Sequence, residues 1–369
     1  MLGIGLQTGY NALQATNGNF YYYPFTGMQF GPNQPVANLP PEAGRDITPR
    51  GAYKSGIWGA GGFSVLPRIS EDFGFLLLAA LGLDTPLADV DLDGSTVAGC
   101  NVHEFTFAAA AANIPYFTAR RVLQHSTEAE MLGEQIQDCH VGSLEVTIPA
   151  VGPVSANLDL LGRIPAALAL LKPDPTTDWG LAAVTYDDDD AFALSVHDLS
   201  RVKLDIAGSR VELPATGVTF ALNNNLLPPD QGRVIGDPTP VDYPVLSRSA
   251  MVRVTCLLED YDLYRYIIAN GIGIGDTGFS PTVYQGGLDI RAYSPLTFGT
   301  NTPYAIQFTT DDSPIATKDN ISWSIQGAIT IAPAQPIILN LVGQIQRPSS
   351  GAYVKVRLQN NVATAYTTP

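Results

Sequence analysis

Basic side chains are scarce in this chain. Among 369 residues there are 20 Lys and Arg against 35 Asp and Glu, a formal charge of −15. A surface of that sign repels phosphate, so direct nucleic-acid binding is not expected. Charge of either sign is sparse as well, at 15% of residues compared with about 25% in an ordinary soluble domain. Cysteine is limited to Cys100, Cys139 and Cys256, an odd and widely spaced set that excludes a disulfide framework and fits a reducing compartment. They read as small buried hydrophobes. The longest apolar run, Phe73 to Leu83, is too short to span a bilayer. Met1 to Gln14 contains no basic residue, so no secretory signal is expected.

What is abundant is apolar surface (45% of residues), glycine (35) and proline (28). A chain of this length and hydrophobicity can bury a sizeable core. Short segments alternate apolar and polar residues with period two: Val202 to Ile206, Val252 to Cys256 and Val354 to Leu358. Such strands bury one face and solvate the other, as in antiparallel sandwiches. Two helices interrupt them, at about 71–81 and 259–270. Each opens on Glu-Asp, which suits a helix N-terminus, and is followed by Gly82 or Gly271, suited to a left-handed C-terminal cap.

The helices also point to an internal duplication. Glu71-Asp72-Phe73 returns as Glu259-Asp260-Tyr261, and Asn113-Ile114-Pro115-Tyr116 as Asn301-Thr302-Pro303-Tyr304, both 188 positions later. Leu158-Asp159-Leu160-Leu161-Gly162-Arg163-Ile164 returns as Leu339-Asn340-Leu341-Val342-Gly343-Gln344-Ile345, 181 positions later. Three matches in one order predict two similar units, 56–240 and 241–369, meeting at the prolines Pro238, Pro240 and Pro244. Ahead of them, residues 1–55 read as an extended arm. Phe20, Tyr21, Tyr22, Tyr23, Phe25 and Phe30 cluster there before Pro32, Pro35, Pro40, Pro41 and Pro49. Aromatics on a segment with no core of its own suggest a clamp on a neighbouring subunit, with docking in cis as the alternative.

No catalytic, cofactor or metal site is expected. Gly273-Ile274-Gly275-Asp276-Thr277-Gly278 matches a dinucleotide fingerprint, but it follows a helix rather than a strand and reads as a loop. Asp89, Asp91, Asp93 and Gly94 reproduce half of a calcium loop whose twelfth position is Cys100 instead of Glu. Asp187 to Asp190 read as a solvated loop tip. His103, His125, His140 and His197 lack zinc spacings, and no nucleophile elbow occurs.

The order of features nevertheless carries a resemblance. The aromatic arm is followed by Gly61-Gly62-Phe63-Ser64-Val65-Leu66-Pro67, a helix closing on Leu81-Gly82, His103-Glu104-Phe105, Ile114-Pro115-Tyr116-Phe117, and Val218 to Leu226. This order resembles the tail tube (major tail) proteins of long-tailed, non-contractile bacteriophages. The resemblance implies a mainly β fold of two antiparallel sandwich or barrel domains, each with a flanking helix. It implies no enzymatic activity and a place in the virion tail, after synthesis in the host cytoplasm. Chains would stack as rings into a hollow tube for DNA ejection. The duplication then implies three chains per ring in place of six. Partners would be other copies of the chain, the tail terminator and baseplate proteins, and, in the bore without specific binding, DNA and the tape-measure protein. Glu145, Asp159, Asp205 and Glu212, each alternating with apolar neighbours, are the expected bore-lining acids. A carbohydrate-binding or carbohydrate-cleaving sandwich, or another virion component such as a terminator or decoration protein, is the competing reading.

Overall fold

The computed structural model describes residues 1–40, 51–70, 72–108, 114–124, 131–181, 191–206, 209–258, 261–269, 283–299, 301–310, 321–327, 329, 335–346 and 354–366. The glycine-rich loop at 273–278, the acidic run at 187–190, His125 and Gly271 lie outside them. Strands β1 (Leu2–Leu6), β2 (Tyr21–Tyr23), β3 (Gly27–Met28), β4 (Gly31–Asn33), β5 (Val36–Asn38), β6 (Ala52–Lys54) and β7 (Trp58–Val65) precede helix α1 (Asp72–Leu81). Then come β8 (Gly82–Leu87), β9 (Asn101–Phe107), β10 (Phe117–Gln124), β11 (Met131–Pro149), β12 (Ser155–Arg163), β13 (Leu171–Lys172) and the short helix α2 (Pro175–Asp178). The rest comprises β14 (Arg201–Ile206), β15 (Ser209–Glu212), β16 (Ala215–Asn223), β17 (Ser249–Leu257), α3 (Asp262–Ala269), β18 (Tyr284–Gly286), β19 (Leu288–Phe298), β20 (Thr302–Thr309), β21 (Ile321–Ile325), β22 (Ile338–Ile345) and β23 (Lys355–Asn360).

Every pairing between these strands is antiparallel. One broad sheet of fourteen strands contains the run β18-β21-β22-β17-β16-β11-β12-β7, with β10, β1, β2 and β13 continuing from β11 and β3 and β4 pairing with β7. A second runs β15-β14-β19-β20-β23-β9-β8. The period-two pattern decides which faces meet: Leu144, Val146, Leu158, Leu160, Phe220, Val252, Val254 and Leu341 all point into one core between the sheets. Phe220 of β16 and Phe308 of β20, with ring centroids 4.8 Å apart, pack across that core.

The expected division near residue 240 falls between two paired strands, because β16 and β17 register along their whole length, Asn223 against Ser249 through Val218 against Val254. The two halves therefore share a sheet and a core. Within it they repeat an arrangement. In the first half a strand (β7) leads into a helix (α1), and a later hairpin (β11–β12) returns its second strand to pair with the first. In the second half β17, α3 and β21–β22 do the same. The matched segments at 158–164 and 339–345 fall on β12 and β22, the two returning strands.

The first 40 residues of the segment read as an extended arm pack against their own chain. β1 inserts between β10 and β2 as a sheet strand. Its sequence, Leu-Gly-Ile-Gly-Leu, carries no charge and loses Leu2 and Ile4 completely into the core. Phe20, Tyr22, Tyr23 and Phe30 are buried within the same chain, and Tyr21 and Phe25 pack half-buried against its core. In this chain, then, the six rings pack in cis, the alternative the sequence also offered.

Candidate assembly surfaces

The outward face of the broad sheet is set by the same alternation that builds the core. Across it lie Asn157 and Asp159 on β12, Ser143, Glu145 and Thr147 on β11, Thr219 and Asn223 on β16, Arg253 and Thr255 on β17, and Asn340 and Gln344 on β22. Hydroxyl and amide groups dominate, and several are joined across strands. Ser143 donates to Asp159 at 2.8 Å, Ser64 to Asn157 at 2.6 Å, and Thr255 to Asn340 at 3.1 Å. Such a face stays wet while offering little net charge to hold an ion or a polyelectrolyte.

The four acids expected on one face are in fact split. Glu145 and Asp159 do share the outward face of the broad sheet. Glu212 is exposed, but on the second sheet, where it faces Lys203 at 3.8 Å. Asp205 is buried and accepts from Arg210 Nε at 2.9 Å. Its position follows from Gly287, which packs so closely that an added Cβ would lie 2.1 Å from the carboxylate. The half calcium loop is likewise spent internally. Asp91 accepts from the backbone amides of Asp93 and Ser95, Asp89 from that of Gly99, and Asp93 from Arg291 at 2.6 Å. Among the described residues no group of three or more His, Cys, Asp or Glu is arranged to hold a metal ion. Cys100, Cys139 and Cys256 are free and buried.

A buried polar cluster fixes the N-terminal segment. Asp138 adopts positive φ (48°) where β11 shifts register, and this turns its carboxylate inward. There it accepts from the backbone amide of Asn11 at 2.8 Å and from Arg163 Nη1 at 2.9 Å, and Arg163 Nε reaches the Pro240 carbonyl at 2.8 Å. Alongside, Tyr116 donates to Asp242 at 3.0 Å and lies 4.3 Å from the His140 ring. Burial lowers the His140 pKa from 6.5 to about 4, against the pull of the Asp242 and Asp138 carboxylates. Residues 7–14 are thus tied both to β11 and to the 237–243 segment.

Two apolar features remain uncovered among the described residues. β5 and β6 form a two-stranded sheet of their own, with Val36, Leu39 and Tyr53 exposed. Beside α3 opens a groove of about 530 Å3, lined by Leu258, Tyr261, Tyr264, Ile268, Ile325 and Ile337. Sequence reasoning missed both. The available signals were Val36 and Tyr53 among the arm's prolines, and the mixed composition of 262–269 compared with the uniformly apolar 73–81.

No helix among the described residues is long and apolar enough to cross a membrane. A search of curated proteins finds none that matches the chain. The family model described as phage tail tube protein matches residues 2–330, from β1 through β21 of the sheet framework. With most of its length matched, the chain belongs to the phage tail tube protein family.

Proposed function

We propose that this chain is the structural subunit of a hollow virion tail, stacking as rings around a bore through which DNA leaves. The reading is supported chiefly by the eight-strand run from β18 to β7 within the broad antiparallel sheet, buried on one face and coated by hydroxyls and amides on the other. Closed into a barrel, such a face would form a wet wall with few fixed charges to retain a sliding polyanion. Glu145 and Asp159 add negative charge to that wall. The tape-measure protein would occupy the same bore before DNA, and terminator and baseplate proteins would meet the tube ends. The subunit would be made in the host cytoplasm.

Three chains per ring is the stoichiometry this reading favours. The strand-helix-hairpin arrangement of β7, α1, β11 and β12 has its counterpart in β17, α3, β21 and β22, so each chain would supply two of six similar wall segments. Three chains would give a wall of 24 strands, which at ordinary strand spacing and tilt closes a ring about 50 Å across. The β18 edge of one chain would face the β7 side of the next, a head-to-tail contact that closes by rotation. Cryo-microscopy of assembled tubes tests this: threefold symmetry with eight wall strands per chain is expected, and sixfold symmetry with one wall segment per chain would refute it. Replacing Glu145 and Asp159 together by Lys is expected to permit assembly and slow genome ejection.

A further inference from the structure

The two uncovered apolar features sit at opposite ends of the wall strands. Trp58 opens β7 directly after the β5–β6 hairpin and pairs with Arg163. Followed across the sheet, that end continues through Asn223 of β16, Ser249 of β17 and Ile345 of β22. The α3 groove lies at the other end, where Leu257 closes β17 and pairs with Ile338. The features also occupy opposite sides of the sheet, since β7 and β21 are separated by five intervening strands. A hairpin at one end and a groove at the other cannot meet within one sheet. They are placed to meet between copies offset both along the strand direction and around the ring.

The hairpin needs such a partner. Two strands alone are marginal in water. Among the described residues its base is held by the Ile57 amide on the Pro238 carbonyl at 2.9 Å and by Arg233 on the Ser55 carbonyl. All three residues of β6 are exposed, with Tyr53 at 54% and Val36 on the facing strand at 64%. The groove has the complementary deficit: Tyr261 is 62% and Ile268 39% exposed. Among the described residues α1 has only a small pocket at Phe73 and Leu76, because the Tyr21 ring packs on Phe75 with centroids 4.9 Å apart and the Tyr366 ring fills the notch at Gly74.

We propose that the β5–β6 hairpin of one copy seats Val36, Leu39 and Tyr53 in the α3 groove of a copy in the adjacent ring. The contact is heterologous and propagates without closing, which is the requirement for a filament. The described residues of each chain present one such hairpin and one such groove, so the proposed axial contacts number one per chain even where the wall segments number two. This inference rests on the tube-forming reading but not on the number of chains in a ring.

The test is thiol cross-linking in assembled tubes. Tyr53→Cys and Ile268→Cys place single thiols on exposed positions, over a background of three buried cysteines. With a short bis-maleimide linker, the double variant is expected to give a ladder of covalent multimers under denaturation, and each single variant monomers. Tubes of the double variant that yield only monomers overturn the proposal. Independently, Tyr53→Asp is expected to leave the circular dichroism spectrum unchanged while tubes give way to isolated rings, and tubes of normal length would overturn it. Imaging the same particles separates the two readings. Sixfold rings with a ladder would defeat the three-chain ring and leave this contact standing, whereas threefold rings without a ladder would do the reverse.

Discussion

The helices α1 and α3 begin alike, follow equivalent strands and occupy matching places in the two halves, yet one is enclosed and the other is half open. Every side chain described from Phe73 to Leu81 is buried, whereas Tyr261 and Ile268 beside and within α3 face outward. Composition anticipates the contrast, since a helix apolar all round must be covered and an amphipathic one need not be. Tyr21 from β2 and Tyr366 from beyond β23 pack against α1. Among the described residues α3 has no such cover over Tyr261 and Ile268, so two helices of similar setting differ in exposure.

The sharpest way to break the comparison is inside the enclosed half. Phe75→Ala removes a fully buried ring and is expected to cost about 3–5 kcal/mol, read as a lowered urea midpoint. Arg163→Met should cost a similar amount, about 3–5 kcal/mol, because Asp138 is left buried without its cation. The same variant should free the N-terminal segment, seen as faster amide exchange at residues 7–14.

Acid offers a milder probe. His140 titrates near 6.5 when unfolded and near 4 in the fold, so the unfolded chain binds the proton first as pH falls. Its contribution is complete above about pH 6.5 and is lost as pH falls toward 4, amounting to about 3 kcal/mol. His140→Phe should flatten that part of the stability profile measured by urea unfolding at pH 8 and pH 4.5. The smallest effect is expected at the open helix. Ile268→Ser should change subunit stability by no more than about 0.5 kcal/mol, while shortening the tubes seen by negative stain.

Much of the framework was legible from local pattern. The alternations at 202–206, 252–256 and 354–358 fall on β14, β17 and β23, and the helix ending at Leu81 is followed by Gly82 with φ of 96°. Period and cap chemistry are local properties, readable without knowing what lies opposite. The candidate surfaces were legible only in part. Alternation put Glu145 and Asp159 on the outward face of the broad sheet, as observed, whereas Asp205, read by the same rule, is buried. Period two assigns a residue to one side of a strand and does not say which sides another layer covers; here β18 and Gly287 close over it.

Sequence alone determined that this is a Gly- and Pro-punctuated, mainly β chain with two longer helices and an excess of acidic over basic residues. Those traits depend on side-chain chemistry and spacing along the backbone. Tertiary structure decided what each segment meets. Whether Leu-Gly-Ile-Gly-Leu pairs in its own sheet or in a neighbour's, and whether the Tyr21 ring meets a second subunit or packs on Phe75, depends on contacts more than 50 residues away along the chain. The same long-range packing filled the surface of α1 and left that of α3 open. A contact is fixed by geometry in space, and apolar residues that look equivalent in sequence acquire different roles once the core has claimed some of them.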